Sequence, residues 1–359
     1  MKENTDCQGG IHMASELAKR MEEMMKKMAH IRKEFGPAKM PAVEIFESAP
    51  CYDEKKVAEL TKLCNKVQSC TDEERPALIE EFIKLRDSIH MKEDAPRRIE
   101  LWPEGKIPTE TVYTDNSDYR YHHNPDFRPY LVEMLIPSDK TPKGAIVLCP
   151  GGDHAEACVC EGYQSAKEFN ALGYQCFLLM NRPNHNPWNA HEVGADAARA
   201  IRYVRAHAAE YRVDPDFIAY AGFSNGGLTG EALIENYSGD KKVSDYFPDY
   251  VPDELDELKG CMDAFLCVYG PRFVGAEFNW DGVVYPPVFY AVGRRDTALD
   301  NFNYVYPDLL KHGVPVEIHT FAGVPHGKAG TVLIDDDYPN FDMWLPLADA
   351  FLQDMKKKD

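Results

Sequence analysis

The sequence predicts an α/β protein: a mostly parallel sheet with helices on both faces, in a domain spanning 97–359, preceded by a helical N-terminal extension of residues 1–96. Three observations predict it. From about residue 97, short β-type apolar runs alternate with helical patterns, which is how parallel strands joined by crossover helices read. Ahead of residue 97, apolar residues recur at helical spacing alone. Finally, Gly222-Phe223-Ser224-Asn225-Gly226-Gly227 lies between a strand-like run and a helix-like one, where a site forms at the carboxyl ends of such a sheet.

In the extension, Leu17, Met21, Met24, Met25, Met28, Ile31 and Phe35 mark a first helix, stopped by Gly36-Pro37. A second starts at Asp53 and puts Val57, Leu60, Leu63, Cys64 and Val67 on one face. A third follows Thr71-Asp72-Glu73-Glu74, which has capping-box form, and carries Leu78, Ile79, Phe82, Ile83 and Leu85. Pro76 blurs its starting point, and Pro96 closes the segment. The Met-rich stripe fits an appendage packed on the main body; a lid, a membrane-surface helix or an arm making a homo-oligomer are the alternatives. Mixed lysines and glutamates on its polar side argue against a membrane helix, which needs a basic face.

In the main domain, residues 109–114 and Tyr130–Ile136 read as a leading pair of strands. Ala145–Cys149, Gln175–Met180, Phe217–Ala221, Ala264–Tyr269, Val288–Val292 and Val316–Phe321 follow, with helices such as Glu192–Ala209 and Leu228–Asn236 between them.

A net charge of −19 repels phosphate backbones and anionic lipid, so neither nucleic acid nor membrane is expected as a partner. No apolar run is long enough to span a bilayer, and the first twenty residues lack the apolar centre of a secretory signal. The ten cysteines are scattered, with Cys149, Cys176 and Cys267 inside apolar runs, where they act as small hydrophobes. A reducing, cytoplasmic location is the expectation.

The G-x-S-x-G segment is a nucleophile elbow in its strand–turn–helix context, with Ser224 as nucleophile. Ser224 needs a strained turn, and side chains at 222 and 226 would collide there, hence the glycines. The helix that follows aims its first N–H groups at developing negative charge. A serine hydroxyl needs a base, and the base needs an orienting acid. In the order serine, acid, histidine, Asp296 follows the run Val288–Val292 and His326 follows Val316–Phe321. Asp300 is the rival acid; His319 lies within a strand and His312 caps a helix. Oxyanion donors are expected from the N–H of Asn225 and from Gly152 or Asp153 in Cys149-Pro150-Gly151-Gly152-Asp153-His154. His154, Arg182 and Trp188, on loops after strands, are candidate substrate contacts; the second loop reads equally well as a surface crossing, and Tyr269 and Trp280 are open in the same way. Asp153, His154, Cys158 and Cys160 match no compact zinc spacing, so neither metal nor cofactor is expected.

Residues from about 99 to 330 resemble the α/β-hydrolase carbohydrate acetyl esterases, relatives of acetyl xylan esterases and bacterial feruloyl esterases. The resemblance is carried by Glu100-Leu101-Trp102-Pro103-Glu104-Gly105, Cys149-Pro150-Gly151-Gly152, Glu161-Gly162, Leu172-Gly173-Tyr174, Asp196-Ala197-Ala198-Arg199-Ala200-Ile201-Arg202, Asp214-Pro215, the elbow, Gly313-Val314-Pro315-Val316 and Pro325-His326-Gly327, in that order. It implies an α/β-hydrolase fold, a Ser-His-Asp triad without metal, and hydrolysis of short acyl esters on plant-type sugars, so the expected partner is a small-molecule or oligosaccharide ester. Asp153 stands where relatives often have a third glycine, Asn225 where alanine is usual, and Arg294-Arg295 where an acidic neighbour is common. A serine peptidase of the prolyl-peptidase type, or a silent binding protein on the same fold, are the competing readings; the first usually needs a propeller or large cap for which this chain has no room.

Overall fold

The computed structural model describes residues 51–109, 128–152, 160–182, 189–329 and 338–357. Eight strands form one sheet: β1 (Arg98–Glu100), β2 (Tyr130–Met134), β3 (Gly144–Cys149), β4 (Tyr174–Met180), β5 (Ile218–Phe223), β6 (Ala264–Val268), β7 (Val288–Gly293) and β8 (Val316–Phe321). Their order is β1-β2-β4-β3-β5-β6-β7-β8. β1 and β2 pair antiparallel, β2 meets β4 antiparallel, and every later pairing is parallel. Every residue of β3 to β7 is buried, as expected of parallel strands covered on both faces. Edge strand β8 is half-buried.

The helices are α1 (Glu54–Ser69), α2 (Arg75–Asp87), α3 (Ser165–Leu172), α4 (Ala190–Ala206), α5 (Ala208–Tyr211), α6 (Asn225–Tyr237), α7 (Ala298–Lys311) and α8 (Trp344–Lys356). The chain leaves β3 toward β4 on one side and returns to β5 on the other. This reversal of strand order opens a crevice at the carboxyl ends of the two strands. In register, Cys149 of β3 lies beside Gly222 of β5, so the Pro150-Gly151-Gly152 loop and Ser224 emerge side by side.

The predicted strands are present with ends moved by one or two residues, except the leading pair. That pair is Arg98–Glu100 with Tyr130–Met134, while residues 110–127 lie outside the described ones. Three residues are too few to show the alternation that marks a strand, so β1 reads only as a motif. The helix expected over Glu192–Ala209 is divided at His207, and the shorter piece ends at Arg212 with φ +59°.

In the extension, Asp53 caps α1 by accepting the Lys55 and Lys56 N–H groups at 2.9 and 3.2 Å. The Thr71–Glu74 box forms: Glu74 accepts the Thr71 N–H at 3.1 Å, and Thr71 Oγ1 accepts the Glu74 N–H at 3.4 Å. It closes a turn just ahead of α2, whose second residue is Pro76. Val57, Leu60, Leu63, Val67, Leu78 and Phe82 are buried in the same apolar cluster as the sheet. At the start of α1, Glu54 accepts the Tyr163 hydroxyl at 2.5 Å and Lys167 Nζ at 3.2 Å, docking the helix on the segment that leads into α3. The side chain of Cys64 and the Met-rich stripe of residues 17–35 lie outside the described residues. Among those residues, six cysteines are unbridged and no helix is long and apolar enough to cross a membrane.

Candidate active site

β5 ends at Phe223, Ser224 turns the chain, and α6 begins at Asn225. Ser224 has φ +50° and ψ −121°, a region that L-residues avoid. Surrounding bonds hold it there: its N–H donates to Val268 O at 3.0 Å, and its carbonyl accepts the Gly227 N–H at 2.9 Å. Such strain persists only where the neighbourhood over-determines it, and it gathers at functional sites. A Cβ at Gly222 would stand 2.4 Å from Gly226 O, and one at Gly226 would stand 2.0 Å from Cys149 O. The elbow therefore fits against β3 only as glycine.

Ser224 Oγ lies 2.9 Å from His326 Nε2. On its far side His326 Nδ1 lies 2.9 Å from Asp296 Oδ1 and 3.0 Å from Oδ2. Asp296 follows β7, and its Oδ1 also accepts the Ala298 N–H at 2.7 Å, fixing the carboxylate at the head of α7. Its side chain is fully buried, whereas the His326 ring is 42% exposed. Partial burial opposes protonation of His326, but the Asp296 hydrogen bond and charge, joined by the Glu161 charge, outweigh it and raise the pKa above the ordinary histidine value. A serine hydroxyl, an imidazole and a buried carboxylate thus form one hydrogen-bonded chain, an arrangement able to activate a hydroxyl for attack on a carbonyl.

Asp300, the rival acid, is exposed on the first turn of α7. His319 bonds Glu317 at 2.7 Å, and His312 bonds Asp308 O at the end of α7. Asn225 opens α6 and is buried; Gly152 is half-buried with φ +134°. Asp153, His154 and Trp188 lie outside the described residues. Arg182 requires a correction. It is 4% exposed, and its guanidinium bonds Asp196 at 3.0 Å, Glu192 O at 3.2 Å and Thr109 O at 2.5 Å. Those partners make it an internal brace between the end of β4 and α4, not a substrate contact. Trp280 likewise stacks on His312 at 3.8 Å and donates to Asp308. Tyr269 does reach the site: its ring meets that of His326 edge-on at 4.9 Å and its hydroxyl donates to Glu161 at 2.9 Å. Composition and spacing did not single out Glu161, which carries no local signature beyond the Glu161-Gly162 block of the resemblance. No group of three His, Cys, Asp or Glu placed to hold a metal occurs among the described residues.

Residues 139–272 match the family model BD-FAE. The matched segment runs from just ahead of β3 to just past β6, so it holds the elbow and the Pro150-Gly151-Gly152 loop, while Asp296 and His326 follow it. Endo-1,4-β-xylanase B of Butyrivibrio fibrisolvens is 28% identical over 188 residues, covering 50% of this chain and 27% of that protein. The probable carboxylic ester hydrolase LipM of Mycobacterium tuberculosis is 44% identical over 153 residues, covering 36% of this chain and 35% of that one. The chain thus spans about a third or less of the length of the curated relatives it matches. Among solved structures, the acetyl ester-xyloside bifunctional hydrolase of Caldicellulosiruptor lactoaceticus superposes with a TM-score of 0.56 at 25% identity, over 74% of this chain and 99% of that one. Thermogutta terrifontis esterase 2, phosphorylated by paraoxon, shares the fold with a TM-score of 0.54 at 20% identity, over 74% and 96% of the two chains. The fold around the matched segment is that of the α/β-hydrolases.

Proposed function

We propose that the protein is a serine esterase that hydrolyses short acyl, acetyl-type esters carried by a carbohydrate or other small molecule. The observation that carries this reading is the unbroken chain from Ser224 Oγ through His326 to the buried Asp296, starting from a strained residue at the head of a helix. In the first half-reaction His326 Nε2 takes the Ser224 proton as Oγ attacks the ester carbonyl, and Asp296 holds the imidazolium. The negative oxygen is met by the Asn225 N–H and by an N–H of the Gly152–Asp153 segment. Collapse expels the alcohol, which receives the proton from His326 and leaves an acyl-Ser224. Water then attacks by the same route and releases the acid.

The curated relative named as a carboxylic ester hydrolase supports the bond class, and the acetyl ester-xyloside hydrolase and the xylanase support an acetylated sugar. His154 and Trp188 remain the proposed substrate contacts. The test is a series of p-nitrophenyl esters of increasing acyl length, with Ser224→Ala as control. A rate that peaks at acetate and falls about 10⁵-fold or more in the variant supports the reading, since losing a triad serine removes nearly all chemistry. A peak at long chains rejects the acetyl pocket, and an active Ser224→Ala rejects the mechanism. Acetate release from acetylated xylo-oligosaccharides then tests the sugar.

A further inference from the structure

We propose that Glu161 is a positioning residue of this site, clamping the Gly151–Gly152 loop to Tyr269 and placing a second carboxylate behind His326. The proposal rests on the triad reading above and adds a residue that the triad does not contain.

Glu161 is 3% exposed and lies in the π-type turn Cys160–Gln164 that opens into α3. Such turns are rare and recur at functional sites. Its Oε2 accepts the Gly151 N–H at 2.7 Å, and its Oε1 accepts the Tyr269 hydroxyl at 2.9 Å. The same Tyr269 oxygen accepts the Ala329 N–H at 3.2 Å, three residues beyond His326. One carboxylate therefore ties together the loops that follow β3, β6 and β8, which carry the oxyanion segment, Tyr269 and the base. Behind it, the Tyr163–Glu54 bond anchors the turn to α1.

The Gly151 amide is committed to Glu161, so it is not the oxyanion donor. What the bond does is fix the plane of that peptide and with it the direction of the next amide, Gly152. Donors help the transition state only when they are aimed in advance. The clamp and the nucleophile are one contact apart: a Cβ on Gly151 would lie 2.3 Å from Glu161 Oε2 and 2.8 Å from Ser224 Cβ.

The titratable groups that face His326 are Asp296 after β7, Tyr269 after β6, Glu161 before α3, and Ser224; Lys328, on its own loop, sits 5.3 Å from the Tyr338 ring. The charge of Glu161 adds to that of Asp296 in favouring the protonated imidazole. That form appears as Ser224 attacks, so both carboxylates stabilise it as the barrier is crossed.

Glu161→Gln keeps the shape and removes the charge. The expected result is a kcat about 10- to 100-fold lower, less than the ~10²–10³ of deleting a donor outright. KM stays unchanged and the acid limb of kcat/KM moves to lower pH. Tyr269→Phe removes the hydroxyl and leaves the charge, so kcat falls without that downward movement. A merely structural Glu161 would lower the melting temperature while leaving kcat per folded molecule and the acid limb in place, and that outcome overturns the proposal. If Glu161→Gln does not fold, a Tyr269→Phe enzyme of wild-type kcat overturns it instead. An inactive Ser224→Ala beside a normal Glu161→Gln sinks the clamp alone, whereas an active Ser224→Ala sinks the triad reading.

Discussion

Two carboxylates, Asp196 and Asp296, have fully buried side chains, and each is paired with a nitrogen base from another element. Asp196 holds Arg182 at 3.0 Å and also accepts the Arg182 N–H and the Trp102 indole N–H, both at 2.8 Å. Its partner is itself 4% exposed and always charged. Asp296 holds His326, whose ring is 42% exposed and whose second nitrogen meets Ser224. The acids are alike, and their partners decide what each pair does. A buried arginine whose three guanidinium nitrogens each bond inside the protein is a brace. A partly exposed histidine with one ring nitrogen on an acid and the other on a hydroxyl is placed to move a proton.

The sharpest way to break this contrast is to remove each charge in turn. Asp296→Asn keeps the shape but presents the wrong hydrogen-bonding group to His326 Nδ1, so the imidazole is held in the wrong tautomer. Turnover of p-nitrophenyl acetate should fall about 10⁴-fold while thermal unfolding changes little. A loss below tenfold would mean that another acid serves the histidine.

Arg182→Met should do the opposite. It leaves the Asp196 carboxylate buried without its cation, which costs about 3–5 kcal/mol of stability. Urea unfolding monitored at 10 °C would show the lost stability, and kcat per folded molecule should stay within about twofold of wild type. A large fall in kcat with intact stability would restore Arg182 to the substrate site.

The pH response separates the two pairs further. His326 must be neutral to act as base, and its pKa is raised. Activity should therefore fall as pH drops through a value above the ordinary 6.5. Stability runs the other way: a raised folded-state pKa contributes stability that is fully present below 6.5 and is lost as pH rises through the folded value. The acid limb of kcat/KM should move to lower pH in Asp296→Asn and stay in place in Arg182→Met. A limb unmoved by Asp296→Asn would detach it from His326.

The contrast also shows what the sequence carries. Ser224, Asp296 and His326 were legible because each follows a strand, and strands announce themselves by apolar runs that end at polar or glycine residues. The elbow added a local steric requirement, two glycines around a serine, that few other structures impose. Arg182 follows a strand in the same way and so looked the same. Its true partner, Asp196, is on a helix fourteen residues later, and nothing in the spacing says which way a guanidinium will turn. Glu161 and Tyr269 were harder still, since their meeting depends on packing across β3 and β6. The second and third helices of the extension were legible from their caps and stripes, but not their docking, because Glu54 and Tyr163 are brought together only by the tertiary fold.

The smallest effect comes from the outer edge of the Arg182 pair. Trp102 belongs to the Leu-Trp-Pro-Glu-Gly block of the resemblance, and its indole N–H reaches Asp196 in the second turn of α4. The ring also packs edge-on against Tyr250 at 5.8 Å and under the Arg199 guanidinium at 5.0 Å. Trp102→Phe keeps most of that aromatic surface and removes one donor from a carboxylate that retains the two Arg182 nitrogens. Asp196 is therefore not left unsatisfied, and the cost should be about 1 kcal/mol, near the net worth of one hydrogen bond, rather than the penalty of an orphaned buried charge. If Arg182→Met and Trp102→Phe destabilise the protein equally, the arginine is not what neutralises Asp196. If the Trp102 variant is neutral on its own but adds to the cost of Arg182→Met, the indole serves as a reserve donor, called upon when the cation is gone.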